Sequence, residues 1–170
     1  KVRTMDHAVR VGICWTGMLE AMAVLVREGL VDETGKLVEP YFHKGFPLAS
    51  TLDYRRITLS QQDIREIQMA KSAIRAGIES LIERSGISRQ RIRQVWLAGG
   101  FGDYLDPQNA AVSGLLPADL AERTTAVGNT SLKGAICLLT GAVTLDELQA
   151  IAAGAEEIVL GNDEAFQRLY

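Results

Sequence analysis

Cysteine and histidine are scarce in this sequence, and each scarcity removes a class of function. Two cysteines, Cys14 and Cys137, fall short of the roughly four thiolates an iron–sulfur cluster needs. They give no disulfide framework either. The two histidines are His7 and His43; His43 has no second ligand at metal-binding spacing, so no zinc site is expected. Apolar runs stop well before the roughly 20 residues of a membrane-spanning helix, and no secretory signal is visible. A formal charge of -3 gives no electrostatic reason to expect nucleic acid or an acidic membrane as partner. The densest basic cluster, Arg89, Arg91 and Arg93, reads as solvated surface. No Gly-x-x-x-x-Gly-Lys-Ser/Thr loop occurs, so this is not a P-loop protein, and no carboxylate pair stands out as a catalytic acid and base. A cytoplasmic location is the default. The chain opens at Lys1 inside what reads as continuing sequence, so a piece of something longer is expected.

What remains is an ordinary globular composition: 170 residues, 47% hydrophobic and 23% charged, enough for one buried core and read as a single domain over residues 1–170. A glycine-bounded turn, Gly12 to Gly17, leads into an amphipathic helix from about Met18 to Glu28, with Gly29 as the stop. Periodicity then fails, and residues 33–56 read as an irregular loop or hairpin insertion broken by Gly35, Pro40, Gly45 and Pro47. Ser60 and Asp63 form a capping-box pattern for a long helix ending near Arg84. On it Ile64, Ile67, Ala70, Ile74, Gly77, Ile78, Leu81 and Ile82 fill one broad apolar arc. Val95 to Ala98 reads as a buried strand, Asp106-Pro107 starts a helix, and Thr124 to Val127 reads as another strand. Helices follow at Leu132 to Leu139, after Thr144 and after Asp163, with a last strand at Ile158 to Leu160. Strands alternating with helices predict an α/β fold with a largely parallel sheet flanked by helices.

Three places could carry chemistry. Gly99, Gly100, Phe101 and Gly102 close a predicted strand, where ligands gather in open α/β sheets; the bare backbone lets a flat ring or phosphate approach, or forms only a turn. Gly128 and Asn129 repeat strand, glycine turn and helix; the helix N-terminus suits phosphate, or Asn129 or Thr130 simply caps it. Lys71 falls inside the apolar arc and Arg75 just past its edge, four residues on. These two cations either meet an anion or ribose, or snorkel to water, with Arg75 paired to Glu79. Cys14 near a helix start reads as a buried small residue, or as a thiol of lowered pKa.

Taken in order, these pieces resemble a known family. Gln68-Met69-Ala70-Lys71-Ser72-Ala73-Ile74-Arg75-Ala76-Gly77-Ile78, then Trp96-Leu97-Ala98-Gly99-Gly100-Phe101-Gly102-Asp103-Tyr104-Leu105-Asp106-Pro107, then Gly114-Leu115-Leu116-Pro117 and Val127-Gly128-Asn129-Thr130-Ser131-Leu132-Lys133-Gly134-Ala135 resemble the C-terminal domain of reductive activators of corrinoid-dependent methyltransferases. That family belongs to the actin, heat-shock-protein and sugar-kinase (ASKHA) superfamily, with ribonuclease-H-like halves around an ATP cleft. The resemblance implies that Gly99-Gly100-Phe101 is the adenosine motif, and that Lys71 and Arg75 flank the adenosine. Gly128-Asn129 would belong to a connecting segment. It also implies ATP with magnesium in the parent protein, a 2Fe–2S cluster only in an absent N-terminal domain, and a corrinoid protein as partner. The parent's expected activity is ATP-coupled reduction of cobalt(II) to cobalt(I). Two departures stand out. Gly12-Ile13-Cys14-Trp15-Thr16-Gly17 replaces the family's Gly-Ile-Cys-Gly-Ser-Gly, and no Asp-x-Gly-Thr phosphate motif is found. The runner-up is a non-catalytic dimerisation or docking module of the same fold. A sugar or acyl kinase would need a catalytic acidic residue that the sequence does not identify.

Overall fold

The structure is a computed structural model and describes residues 9–100 and 104–170. The chain divides into two compact units. One runs to Arg75 and adds Leu105–Glu122; the other comprises Ala76–Tyr104 and Arg123–Tyr170.

The first unit is built around helices that bury clean apolar stripes. Helix α1, Trp15–Arg27, buries Leu19, Met22, Ala23 and Leu25, a spacing that keeps them on one face. It starts three residues before the sequence reading places it, because Trp15 and Thr16 join the first turn. Cys14 becomes the residue preceding that turn and is exposed, which corrects the buried reading. Residues 33–56 contain a short helix α2, Tyr41–Lys44, and strand β1, Phe46–Ser50, which forms an antiparallel hairpin with β2, Arg56–Leu59, beginning at the segment's last residue. The ladder runs from Phe46 opposite Leu59 to Ser50 opposite Arg56, with an irregularity between Pro47 and Ala49. Helix α3, Gln61–Ser85, begins in this unit and ends in the other. Its start is the predicted capping box: Ser60 Oγ accepts from the Asp63 N–H at 3.1 Å, and Asp63 Oδ2 accepts from the Ser60 N–H at 2.7 Å. The same helix organises the preceding loop through polar side chains. Gln61 accepts from the Leu37 N–H and donates to the Gly35 carbonyl, both at 2.8 Å, while Arg65 donates to the Thr34 carbonyl at 2.9 Å. Gly35 (φ +78°) lies so close to the Gln68 side chain that any Cβ there would collide with it.

The second unit has a different construction. Strands β3, Val95–Ala98, and β4, Thr124–Gly128, form a parallel pair, with Val95 beside Thr124 and Ala98 beside Gly128. Helices α5, Thr130–Leu139, α6, Leu145–Ala153, and α7, Glu164–Leu169, follow. Thr144 and Glu147 close a full capping box on α6, and Asp163 caps α7, as the sequence predicts. The predicted strand at Ile158 to Leu160 is not formed; Leu160–Asn162 is a 3-10 turn instead. A short apolar run does not by itself separate strand from buried turn. Here the Leu160 side chain lies over Gly77 of α3, where an added Cβ would stand 3.2 Å from Leu160 Cδ1. Arg84 of α3 pairs with the largely covered Asp163 at 3.5 Å, and Glu83 pairs with Arg168 at 2.7 Å in an exposed bridge that adds little.

The apolar arc of α3 therefore changes character along its length. Ile64 and Ile67 are fully buried, whereas Ile74 and Leu81 are exposed.

Candidate functional site

The fourth helix of the first unit, α4, Pro107–Val112, follows directly on the Gly99 to Asp106 segment. Asp106 caps it by accepting from the N–H groups of Gln108 at 2.7 Å and Asn109 at 3.1 Å. Glu20 of α1 holds the same end: Oε1 accepts from the Asp106 N–H at 2.9 Å, and Oε2 accepts from the Asn109 amide. At the other end, Lys71 Nζ donates to the Ser113 carbonyl at 2.7 Å, and an Arg75 guanidinium nitrogen donates to the Leu116 carbonyl at 3.1 Å. An acid thus sits at the positive end of α4 and two bases sit beyond its negative end, the arrangement the helix dipole favours. Gly114 (φ +84°) lets the lysine in; a Cβ there would lie 2.8 Å from Nζ. Burial pushes the Lys71 ammonium below the usual lysine range, and the neighbouring charge of Arg75 pushes it further.

In this structure Lys71 and Arg75 donate to carbonyls of one turn, those of Ser113 and Leu116. The sequence shows their misplaced charge on an apolar arc but not their partners, which lie about forty residues further along the chain. Glu20 gives no sequence signal at all, since it is one acidic residue among apolar neighbours whose partners are far away in the chain.

The glycine turns belong to the second unit. Gly99 (φ +87°) and Gly128 (φ +72°) both adopt the left-handed conformation that favours glycine. The Gly99 N–H donates to the Gly128 carbonyl at 2.9 Å, so the two predicted turns leave the same, C-terminal end of the parallel pair. Among the described residues, a Cβ at Gly99 or Gly100 would have no neighbour within 4 Å. Asn129 caps α5 by accepting from the Leu132 N–H at 3.0 Å. Phe101 and Gly102, the rest of the proposed motif, lie outside the described residues, as does Asp103.

Beside this end, Trp96, Ala98, Val127, Thr130 and Lys133 line a shallow depression of about 490 Å³, almost wholly apolar. Lys133 Nζ is turned back onto the Val127 carbonyl. Among the described residues, no group of three His, Cys, Asp or Glu side chains is placed to hold a metal ion. None of the helices is long and apolar enough to cross a membrane, among the same residues.

A parallel strand pair with glycine turns at one end, set among helices, defines an α/β protein. The family model described as "C-terminal domain of RACo the ASKHA domain" matches residues 1–170, and the chain belongs to that family. It is 28% identical over 178 residues to the corrinoid activation enzyme RamQ of Eubacterium limosum, covering 94% of this chain and 30% of the relative. It is 30% identical over 162 residues to the Co(II) methylated amine-specific corrinoid protein reductase of Methanosarcina barkeri, covering 94% and 28% respectively. A solved structure of a reductive activator for corrinoid, iron–sulfur protein superposes with a TM-score of 0.87 at 30% identity, over 99% of this chain and 29% of that one. The chain thus spans less than a third of the length of these relatives.

Proposed function

We propose that this chain supplies the adenosine side of the nucleotide site in an ATP-dependent reductive activator of a corrinoid protein. The observation that supports this reading best is the junction of Gly99 and Gly128. Two bare-backbone turns leave the C-terminal end of one parallel pair, and no described residue crowds Gly99 or Gly100. A purine can lie flat against such backbone, and the first turn of α5 offers N–H groups suited to a phosphate. Phe101 and Gly102 complete the motif in this reading.

In this reading ATP would bring magnesium, and electrons would reach cobalt through a 2Fe–2S cluster carried by the remainder of the protein. Nucleotide binding can drive cobalt(II) to cobalt(I) reduction only if ATP favours one conformation over another and so changes docking of the corrinoid protein. On its own the 170-residue chain binds ATP weakly and turns none over. A cytoplasmic setting completes the proposal.

Gly100→Val in the full-length protein tests it. No described residue comes within 4 Å of a Cβ at Gly100, so the described fold accepts the side chain, while a bound purine would not. ATP affinity should fall at least about tenfold, roughly 1.4 kcal/mol, with thermal stability unchanged. Wild-type ATP affinity in this variant would falsify the reading. The alternative, a non-catalytic dimerisation or docking module, draws on the exposed apolar surface of the second unit. Under it, Gly100→Val leaves ATP affinity and partner binding alike untouched.

A further inference from the structure

The tip of the β1–β2 hairpin is built against the ordinary preference of its turn. Past Ser50 the ladder continues by one bond, the Thr51 N–H donating to the Arg55 carbonyl at 2.9 Å, and the Tyr54 N–H closes the turn on the Thr51 carbonyl at 3.2 Å. That leaves Leu52, Asp53 and Tyr54 as the loop. Three-residue hairpin loops of this kind end in a left-handed residue, a place where glycine is the easy choice. Tyr54 holds it at φ +61°, and among the described residues no other non-glycine has a positive φ. A side chain with a Cβ is strained there. Burial does not compensate the strain, because Tyr54 is 89% exposed and Leu52 75%.

The polar groups of the same tip are satisfied by one another. Asp53 accepts from the Thr51 hydroxyl and from Arg55 Nε at 2.6 Å, while Thr51 Oγ1 accepts from the Arg55 N–H at 3.0 Å. Thr51 first, and Arg55 second, hold the Asp53 carboxyl below the usual aspartate range, so the lock is closed at neutral pH. What the tip offers outward is therefore two large apolar side chains on a restrained backbone. Arg56, exposed at the start of β2, adds a positive charge at its base. A loop held in this way loses little entropy on binding, and tyrosine is among the side chains that dominate interface energy.

Area decides the kind of occupant. A tyrosine brings about 200 Å² and the leucine somewhat less. A permanent pair of copies buries roughly 2,000 Å² or more, whereas transient redox encounters stay below about 1,200 Å². A projecting tip suits the second class, and an electron donor must release its acceptor after each reduction.

We propose that the β1–β2 tip docks the corrinoid protein, Tyr54 and Leu52 entering an apolar cleft whose acidic rim meets Arg56. The inference rests on the proposed corrinoid partner and is independent of the nucleotide site.

Tyr54→Gly in the full-length protein separates docking from folding, because the two effects have opposite signs. Glycine takes φ +61° without strain, so the Tm should rise by about 2 °C or more. The Kd for the cobalt(II) corrinoid protein, read by titration calorimetry, should rise at least about tenfold, with ATP affinity unchanged. Leu52→Ser should weaken the same binding about threefold, and Arg56→Glu should weaken it more at low salt than at high salt. Wild-type affinity in both Tyr54→Gly and Leu52→Ser overturns the proposal. So does a fall in Tm for Tyr54→Gly, which would make the tyrosine a folding residue. A change of oligomeric state with corrinoid-protein affinity kept assigns the tip to a second copy and overturns it too. If the wild-type protein itself does not bind the corrinoid protein, the partner reading fails and takes this one with it; the variants alone behaving as wild type sinks only the tip.

Discussion

The two units of this chain solve the burial problem in opposite ways. Among the described residues, every buried apolar side chain except Ala76 belongs to the first unit. There Leu19, Leu25, Leu37, Leu59, Ile64 and Ile67 are shut off from water, and polar groups such as Gln61, Glu20 and Lys71 tie loops and helix ends to them. The second unit has equally apolar helices, yet no residue of α5 or α6 is buried. Composition is thus no guide to where a core lies. Apolar side chains make a core only when a second layer is present to receive them.

The sharpest way to break this contrast is a matched pair of truncations in the 170-residue chain. Ile67→Ala removes a fully buried side chain and should cost about 2–5 kcal/mol, from lost transfer energy plus the cavity left behind. Ile136→Ala removes one that is 49% exposed and should stay within about 0.5 kcal/mol. Urea titrations of the two variants decide it. Equal costs would mean that the second unit hides a core of its own.

The same contrast explains what could be read beforehand. Helix starts were legible wherever the capping residue acts locally: Ser60 with Asp63, Asp106, Asn129, and Thr144 with Glu147 all form the predicted bonds within three residues. The two glycine turns were legible as turns, and their common origin at one end of a parallel pair follows from the βα order. What the sequence hid is everything decided across the chain. The start of the 33–56 segment looks irregular because Thr34 and Gly35 are held by Gln61, Arg65 and Gln68 on a later helix. The half-exposed arc of α3 looks uniform because periodicity marks which face is apolar, not whether anything covers it. Ile158 to Leu160 has a strand's composition, but Leu160 is spent on Gly77.

A smaller effect sharpens the account of the first unit. Lys71→Met deletes the donor to the Ser113 carbonyl and should cost about 1 kcal/mol near neutral pH, since the lost bond is partly offset by the end of an ammonium desolvation penalty. The pH dependence separates the two contributions. Because burial, and then Arg75, lower the folded pKa below lysine's ordinary 10.5, the unfolded chain holds more protons between those two values. Stability conferred by Lys71 therefore rises with pH across that window, and the methionine variant lacks the rise. Solvent access to the half-buried amine keeps the slope shallow. Parallel slopes for the two proteins up to pH 10.5 would mean that the amine is solvated and the carbonyl contact carries no weight.

The smallest expected effect lies in the second unit, where little but local chemistry holds the helices. In α6 the Glu147 carboxylate accepts from the Thr144 N–H and hydroxyl, both at 2.8 Å. The backbone bond first, and the hydroxyl second, hold its pKa below the usual glutamate value. A lowered folded pKa means that the cap is fully present above the ordinary glutamate value and is lost as pH falls through the folded one. Thr144→Ala removes the hydroxyl but keeps the backbone donor, so the Glu147 carboxyl should titrate closer to its ordinary value without reaching it. Side-chain carboxyl NMR titration measures this, alongside faster amide exchange in the first turn of α6. In a helix anchored by a buried core, exchange would follow global unfolding and the substitution would leave it unaltered. Here, with no buried residue on α6, the cap is what restrains fraying, and the exchange rates of that turn should move with it.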